Sequence, residues 1–381
     1  MNRRPALAQV WRRSLGPSQR VLWLALTPLA ALYAGALAIR GWWWARQAQV
    51  APAATISIGN LTVGGSGKTP FALFLAGRLR QSGYRVAIVS RGYGRRPSPE
   101  AATLIADAGK LLTDPASAGD EPAMMARRFD GPIAVARRRI DAIKLLAARA
   151  PLDAVILDDA FQHQRLRRDL DLVLIATSQG VGNGWILPAG PLREPLNGLQ
   201  RADAVILVAP DRFEDYSPSP ALRAALLTIA VLRASVRPRA LVHSVNGRWT
   251  ESALELKGKR VVAVSGLAEP AGFSAMLREL GAELIETLEY PDHYRYSPTD
   301  WDTIHNAAGR ADLVLTTEKD LVKLEVFSPA LASLYAVRLE IMMPERDDAT
   351  LFAMVTTRIE ERSRLGAVAR TAAKPAERTS G

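Results

Sequence analysis

Three features of the sequence predict an α/β protein: a P-loop NTPase-like, mostly parallel sheet, a second, smaller α/β domain, and an N-terminal membrane-associated helical segment. After Val50, short apolar runs alternate with helix-length stretches, the βαβ rhythm that covers both faces of a sheet with helices. A glycine-rich turn ending in Gly67-Lys68-Thr69 stands between one apolar run and the next helix. Ahead of both lies an uncharged stretch, Val21 to Ile39, flanked by arginines.

The elements follow in order. Residues 55–58, 85–90, 154–157, 172–176 and 204–208 read as strands from their aliphatic and β-branched content. Residues 68–81 read as a helix, because Phe71, Leu75 and Leu79 recur at helical spacing, and Gly83 stops it. Residues 120–129 and 137–150 read as helices. The 217–240 stretch predicts a helix and then a turn rich in Arg and Pro, which sets a domain boundary there. Beyond it, residues 241–245 and the run from Trp249 predict a hairpin about Asn246-Gly247. Residues 261–265 and 313–317 are strands of the smaller domain. The expected organisation is a membrane-associated segment at 1–50, a P-loop domain at 51–235, a smaller α/β domain at 236–363 and a disordered tail at 364–381, which is Ala-, Arg- and Thr-rich without periodicity.

Composition narrows the function. Of 381 residues, 48% are hydrophobic and 23% charged, which excludes a disordered chain. The absence of Cys excludes disulfides, thiolate nucleophiles and Cys-bound zinc. The net charge is +11, yet residues 1–50 carry seven Arg and no acid, leaving +4 for the rest. No basic stripe is left for nucleic acid, so the excess charge points to a membrane surface. Trp11, Trp23, Trp42, Trp43 and Trp44 agree, since Trp favours the headgroup level. A cleaved signal peptide, a full span, and an in-plane or re-entrant helix pair broken at Pro28 all fit residues 21–39. Arginines on both flanks favour the last, because a single crossing strands the two flanks on opposite faces.

Thr62-Val63-Gly64-Gly65-Ser66-Gly67-Lys68-Thr69 has the strand–loop–helix context of a Walker A loop. Its backbone N–H groups would converge on phosphate, Lys68 would neutralise the β/γ oxygens, and Thr69 would hold Mg²⁺. Asp158 and Asp159, directly after an apolar strand, fit the Walker B role.

Further strings surround these anchors: Ile58-Gly59-Asn60-Leu61-Thr62, Ser90-Arg91-Gly92-Tyr93-Gly94, Gly119-Asp120-Glu121-Pro122 and Asp158-Asp159-Ala160-Phe161-Gln162-His163. Downstream stand Leu187-Pro188-Ala189-Gly190-Pro191-Leu192-Arg193-Glu194-Pro195, Asp292-His293-Tyr294 and Thr317-Glu318-Lys319-Asp320. In this order, from about residue 21 to 324, the set resembles the tetraacyldisaccharide 4'-kinase family. The family usually has Gly where Ala160 stands.

The resemblance implies an ATP- and Mg²⁺-dependent kinase that phosphorylates the 4'-hydroxyl of a tetraacyldisaccharide 1-phosphate to form lipid IVA. It also implies a place on the cytoplasmic face of the inner membrane of a Gram-negative bacterium. It makes Asp120 the catalytic base, paired with His293 across two domains. Asp158, Asp159 and Glu194 are candidates for Mg²⁺ alongside Thr69. Arg91, Gln162, His163 and Arg193 are candidates for substrate, the arginines for its 1-phosphate. Lys319 is assigned to the adenine side or to a hinge. A membrane-associated P-loop ATPase switch and a nucleotide-gated lipid-binding module remain as alternatives, and the oligomeric state stays open.

Overall fold

The computed structural model describes residue 11 and residues 17–92, 101–210, 216–245, 248–327 and 331–372. Tyr93, Gly94, Asn246 and Gly247 of the strings above, and the tail after residue 372, lie outside the described residues.

In chain order the elements begin with helix α1 (Pro17–Arg46), strand β1 (Ala54–Asn60), α2 (Lys68–Gln81) and β2 (Val86–Ser90). Next come β3 (Thr103–Asp107), β4 (Lys110–Leu111), α3 (Pro115–Ala118), α4 (Asp120–Ala126), β5 (Ile133–Val135) and α5 (Arg139–Ala147). They are followed by β6 (Ala154–Asp158), β7 (Leu170–Ala176), β8 (Ala204–Ala209), α6 (Pro220–Leu226), β9 (Ala230–Val245) and β10 (Arg248–Ser252). The last are β11 (Arg260–Gly266), α7 (Pro270–Glu279), β12 (Glu283–Tyr290), α8 (Pro298–Ala308), β13 (Leu313–Thr317), α9 (Glu318–Leu324), β14 (Leu334–Met342) and α10 (Glu345–Ala372).

The chain divides into two units. One takes Met1–Arg91, Arg138–Ser235 and Met342–Gly381; the other takes Gly92–Arg137 and Val236–Ile341. Residues 92–137, expected in the P-loop domain, therefore group with the second unit. The cause is visible within that unit: α4 packs on α9, Arg127 is paired with Glu325 at 2.5 Å and Arg128 with Glu318 at 2.9 Å. Residues from Met342 onward join the first unit, where Asp347 accepts the Arg233 backbone N–H at 3.0 Å.

In the first unit the strand order is β9–β8–β7–β1–β6–β2, and every neighbouring pair in it is parallel. Strands β1, β2, β6 and β8 are buried along their whole length, as expected of a sheet covered on both faces. The loops that leave the C-terminal ends of β1 and β6 carry the phosphate-loop and Asp158-Asp159 motifs, the usual ligand end of such a sheet. In the second unit β12–β11–β13–β14 run parallel, residues 241–245 pair antiparallel with β10, and β4–β3–β5 form a small antiparallel set.

Three expectations change. The Arg- and Pro-rich turn inside 217–240 is strand β9, which runs through Pro238. Its ladder with β8 ends at the Ala209–Ser235 pair, so the missing proline N–H falls beyond that ladder. The helix pair broken at Pro28 is one continuous helix, α1. Pro28 removes the N–H that would bond the Leu24 carbonyl, and the Thr27 hydroxyl donates to that carbonyl instead, at 2.8 Å. Helix α10 continues past Arg364, the expected start of the tail, to Ala372.

Helix α1 is long and apolar enough to cross a membrane. It is also docked. Ala30 belongs to the buried cluster of the first unit with Phe161, Val173, Leu192 and Leu222, and Trp23, Leu26, Ala34 and Leu37 pack on that cluster. These positions form one stripe along the helix. Val21, Leu24, Leu29, Leu32, Ile39, Trp42 and Trp43 are exposed.

Candidate active site

The phosphate loop is shaped by β1 and α2. Gly64 and Gly67 adopt φ +112° and +76°, conformations that L side chains strain to reach, and Gly67 caps the N-terminus of α2. The cap makes no side-chain hydrogen bond, so the first-turn N–H groups are left for a ligand. Lys68, Thr69 and Pro70 form that first turn, where proline costs no hydrogen bond.

The 187–195 loop is laced to this segment. Val63 N–H donates to the Pro191 carbonyl at 2.9 Å, and Arg193 N–H donates to the Leu61 carbonyl at 2.7 Å. The loop after β6 is pressed against β1: a Cβ on Gly59 would clash with the Cβ of Phe161. Sequence and packing thus fix where Asp158 and Asp159 sit. Asp158 is 1% exposed at the end of β6. Asp159, at φ +50°, presents its carboxylate 3.7 Å from Lys68 Nζ and within 2.9 and 3.1 Å of Arg193 Nη1. Burial pushes the Asp159 carboxyl up, but Lys68 and Arg193 outweigh it and hold it below the usual carboxylate range.

Several expected site residues are engaged within the protein. Glu194 is 7% exposed, with one oxygen taken by Arg201 at 2.7 Å and the other by Gln162 at 2.9 Å. That is a buried tie between loops, with both Glu194 oxygens on protein donors. Gln162 also donates to the Asn60 carbonyl at 2.8 Å and is an anchor. Arg193 faces Asp159 beside the phosphate loop, at 2.9 Å. Thr69, Asp158 and Asp159 are the other metal candidates. Among the described residues no cluster of three or more His, Cys, Asp or Glu converges as a metal site. Mg²⁺ needs no such cluster, since it usually binds one or two carboxylates together with phosphate and water. The donors at this loop fit it.

His163 lines a cavity of about 250 Å³ with Gln47, Gln49, Arg138, Ile140 and Arg165. Burial first, then Arg139, Arg168, Arg165 and Arg91, push its imidazole down to about 3, so it stays neutral at physiological pH. Arg165 stacks on Trp44 at 4.5 Å and Arg40 on the same indole at 4.8 Å. Arg40 and Arg165 thus flank Trp44 near the C-terminal end of α1, and Arg91 acts on His163 by its charge.

The second group lies wholly inside the second unit. Asp120 opens α4, and its Oδ2 is 3.2 Å from His293 Nδ1. The pair does not span two domains as expected, because residues 92–137 belong with this unit. His293 sits at φ +58°, a strained conformation for a residue with a side chain, and Asp292 Oδ1 accepts its backbone N–H at 3.0 Å. Burial raises the Asp120 carboxyl, while the His293 hydrogen bond and the charges of Lys323 and Lys319 together bring it below the ordinary range. Lys319 Nζ contacts Asp292 Oδ1 at 2.8 Å and His293 Nε2 at 3.3 Å.

Sequence reasoning missed Arg139, Arg138, Arg165, Arg201 and Lys323. Arg139 is buried and donates to the Asp159 carbonyl at 3.2 Å. Only Lys323 left a signal, one turn beyond Lys319 on the same helix.

Comparison with known proteins agrees with this geometry. The sequence profile of the LpxK family, tetraacyldisaccharide-1-P 4'-kinase, matches residues 22–360. The tetraacyldisaccharide 4'-kinase of Anaeromyxobacter dehalogenans strain 2CP-C is 42% identical over 355 residues, 90% of each chain. That of Halothermothrix orenii is 36% identical over 315 residues, 76% of this chain and 80% of the relative. LpxK from Aquifex aeolicus, whose crystal structure was determined in complex with ATP, aligns at TM-score 0.72 and 29% identity, covering 89% of this chain and 99% of that one. The chain belongs to the tetraacyldisaccharide-1-P 4'-kinase family, enzymes of ATP-dependent 4'-phosphorylation in lipid A biosynthesis.

Proposed function

We propose that this chain takes the γ-phosphate of Mg²⁺-ATP on its 62–69 loop and passes it to the 4'-hydroxyl of a tetraacylated disaccharide 1-phosphate, giving lipid IVA. The observation that carries the reading is Lys68 facing Asp159 at the mouth of a strand–loop–helix cradle. Lys68 neutralises the β/γ oxygens, and the first-turn N–H groups of α2 bind them. Thr69, Asp158 and Asp159 are the residues that would hold Mg²⁺, which when bound draws charge from the phosphates. Arg193 keeps Asp159 ionised and oriented. Asp120, a carboxylate held by His293, takes the proton of the attacking hydroxyl, and His293 orients it. Arg138 and Arg165, which line the cavity beside His163, and Arg91, whose charge acts on the same imidazole, are the residues assigned to the 1-phosphate; Arg193 is withdrawn from that role.

We assign the site of action to the cytoplasmic face of the inner membrane, with α1 lying in the interface. The stripe from Trp23 to Leu37 is docked over roughly 21 Å at 1.5 Å per residue. A helix tied to the body for that length does not also cross a hydrocarbon core about 30 Å thick with lipid on every side. Its exposed apolar residues and arginine-stacked tryptophans suit the headgroup boundary. The substrate supplies the reason: each buried CH₂ of an acyl chain holds it in the bilayer by about 0.8 kcal/mol.

The test is incubation of the purified protein with γ-labelled ATP and the acylated disaccharide 1-phosphate in mixed micelles. Label on the 4' position supports the reading, and its loss in Lys68→Ala assigns it to the loop. ATP hydrolysis without labelled lipid would establish the switch reading instead, and nucleotide binding without turnover the binding module.

A further inference from the structure

Helix α9 carries two lysines one turn apart, and both ammonium groups face the Asp120–His293 pair. Lys323 Nζ is 2.7 Å from Asp320 Oδ1, donates to the Tyr294 carbonyl at 3.1 Å and stands 3.8 Å from Asp120 Oδ2. Asp320 is fully buried and also accepts the Gly266 N–H at 2.9 Å, so this lysine is anchored from below. Lys319 Nζ lies 2.8 Å from Asp292 Oδ1 and 3.3 Å from His293 Nε2. Asp292 in turn accepts the His293 backbone N–H, which supports the strained φ that aims the ring.

The donor inventory decides where the ring proton sits. An ammonium has three N–H donors and no lone pair, so an imidazole nitrogen facing it accepts. Nε2 of His293 faces Lys319 and is therefore the acceptor. Asp292 Oδ2, 3.8 Å from Nε2, is beyond hydrogen-bond reach and does not compete for a proton there. A neutral imidazole carries one N–H, which leaves it on Nδ1, and Nδ1 is the atom 3.2 Å from Asp120 Oδ2. An ionised carboxylate only accepts, so the Nδ1–H arrangement satisfies both the Asp120 and the Lys319 contacts.

We propose that Lys319 is a positioning residue that fixes His293 in its Nδ1–H tautomer, so that the ring donates to Asp120 Oδ2 and holds that carboxylate ready for the acceptor hydroxyl. The functional half rests on Asp120 being the base; the tautomer does not. The proton taken from the hydroxyl stays on Asp120, because Nδ1 already carries one. The ring neither gains nor loses a proton in the step. A methionine in place of Lys319 keeps the length of the side chain but removes the donor. Asp292, no longer held by an ammonium, then competes with Asp120 for the single ring proton from the Nε2 side.

The test is NMR of the full chain with ¹⁵N-labelled histidine at a pH where the ring is neutral. The sequence has four His, so the signal missing from His293→Gln identifies the ring. The expected result is a protonated Nδ1 and an unprotonated Nε2 in the wild type. In Lys319→Met the proton should move toward Nε2, with kcat lower by about 10- to 100-fold, as for a misplaced catalytic group, and KM for ATP unchanged. Lys319→Arg, which keeps the donors, should retain the wild-type tautomer and most of the rate. A wild-type ring protonated at Nε2 overturns the proposal, and that spectrum decides even if a variant fails to fold. A tautomer that shifts in Lys319→Met with no change in kcat overturns the positioning role. A wild-type Nδ1–H ring in a protein that transfers no phosphate would uphold the tautomer and refute the kinase reading instead.

Discussion

Two carboxylates near the phosphate loop separate by role in a pair of isosteric variants. In Glu194→Gln the side chain keeps its shape but loses the charge that Arg201 meets at 2.7 Å. Glu194 is 7% exposed, whereas the Arg201 side chain is 34% exposed and can turn to water. A charged hydrogen bond weakened in this way costs about 1–3 kcal/mol. For a unit of this size each kcal/mol moves Tm by roughly 2–4 °C, so the expected loss is about 2–12 °C. The Mg²⁺ concentration for half-maximal rate should not move, because both Glu194 oxygens are already occupied by protein. Asp159→Asn should do the opposite. It removes a charge at the loop mouth and should raise the Mg²⁺ requirement by about 10-fold or more. Tm and the Mg²⁺ dependence of the rate, measured for both proteins, decide the matter. A raised Mg²⁺ requirement in Glu194→Gln with Tm unchanged would refute the assignment and return Glu194 to the metal.

Three other outcomes follow. Leu24, Leu32 and Ile39 are exposed on α1, so changing all three to Glu should abolish pelleting with anionic vesicles while Tm changes little; wild-type pelleting would refute the interfacial helix. Gly59→Ala sets a Cβ against Phe161 in a buried strand and should cost about 1–3 kcal/mol, with a lower kcat as the Asp158–Asp159 loop shifts; an unchanged Tm would contradict the packing. Asp120 has its carboxyl held below the ordinary range, so it stabilises the fold above the ordinary carboxylate pKa and loses that contribution as pH falls through the lower folded value. In Asp120→Asn the acid-side slope of stability against pH should become shallower by this one group, which urea titrations at several pH values will read.

Local patterns told the sequence reader most about the first unit. β1, β6 and β8 are aliphatic runs buried on both faces, and the Gly64–Thr69 loop carries its positive-φ glycines in its own sequence. What sequence left hidden depends on long-range partners. Residues 92–137 join the second unit through Arg127 and Arg128, whose acids lie near residues 318–325. Pro238 reads as a turn until the end of the β8 ladder is known. Pro28 reads as a break until the Thr27 hydroxyl is seen to cover for it. At the site, Asp120, His293 and Lys68 were legible because their strings are distinctive. The commitment of Arg193 to Asp159 and of Glu194 to Arg201 was not, since a charge in a loop does not announce its partner.

The proposed chemistry requires Asp120 and His293 to act as one base unit, and a double-mutant cycle on kcat reads this directly. General-base catalysis contributes about 10²–10⁴-fold, so Asp120→Ala and His293→Ala should each lower kcat by an amount in that range with little effect on ATP affinity. Because His293 works through Asp120, the double variant should be no more than slightly worse than Asp120→Ala alone. A double variant whose loss equals the product of the two single losses would contradict the account and give His293 a role independent of Asp120.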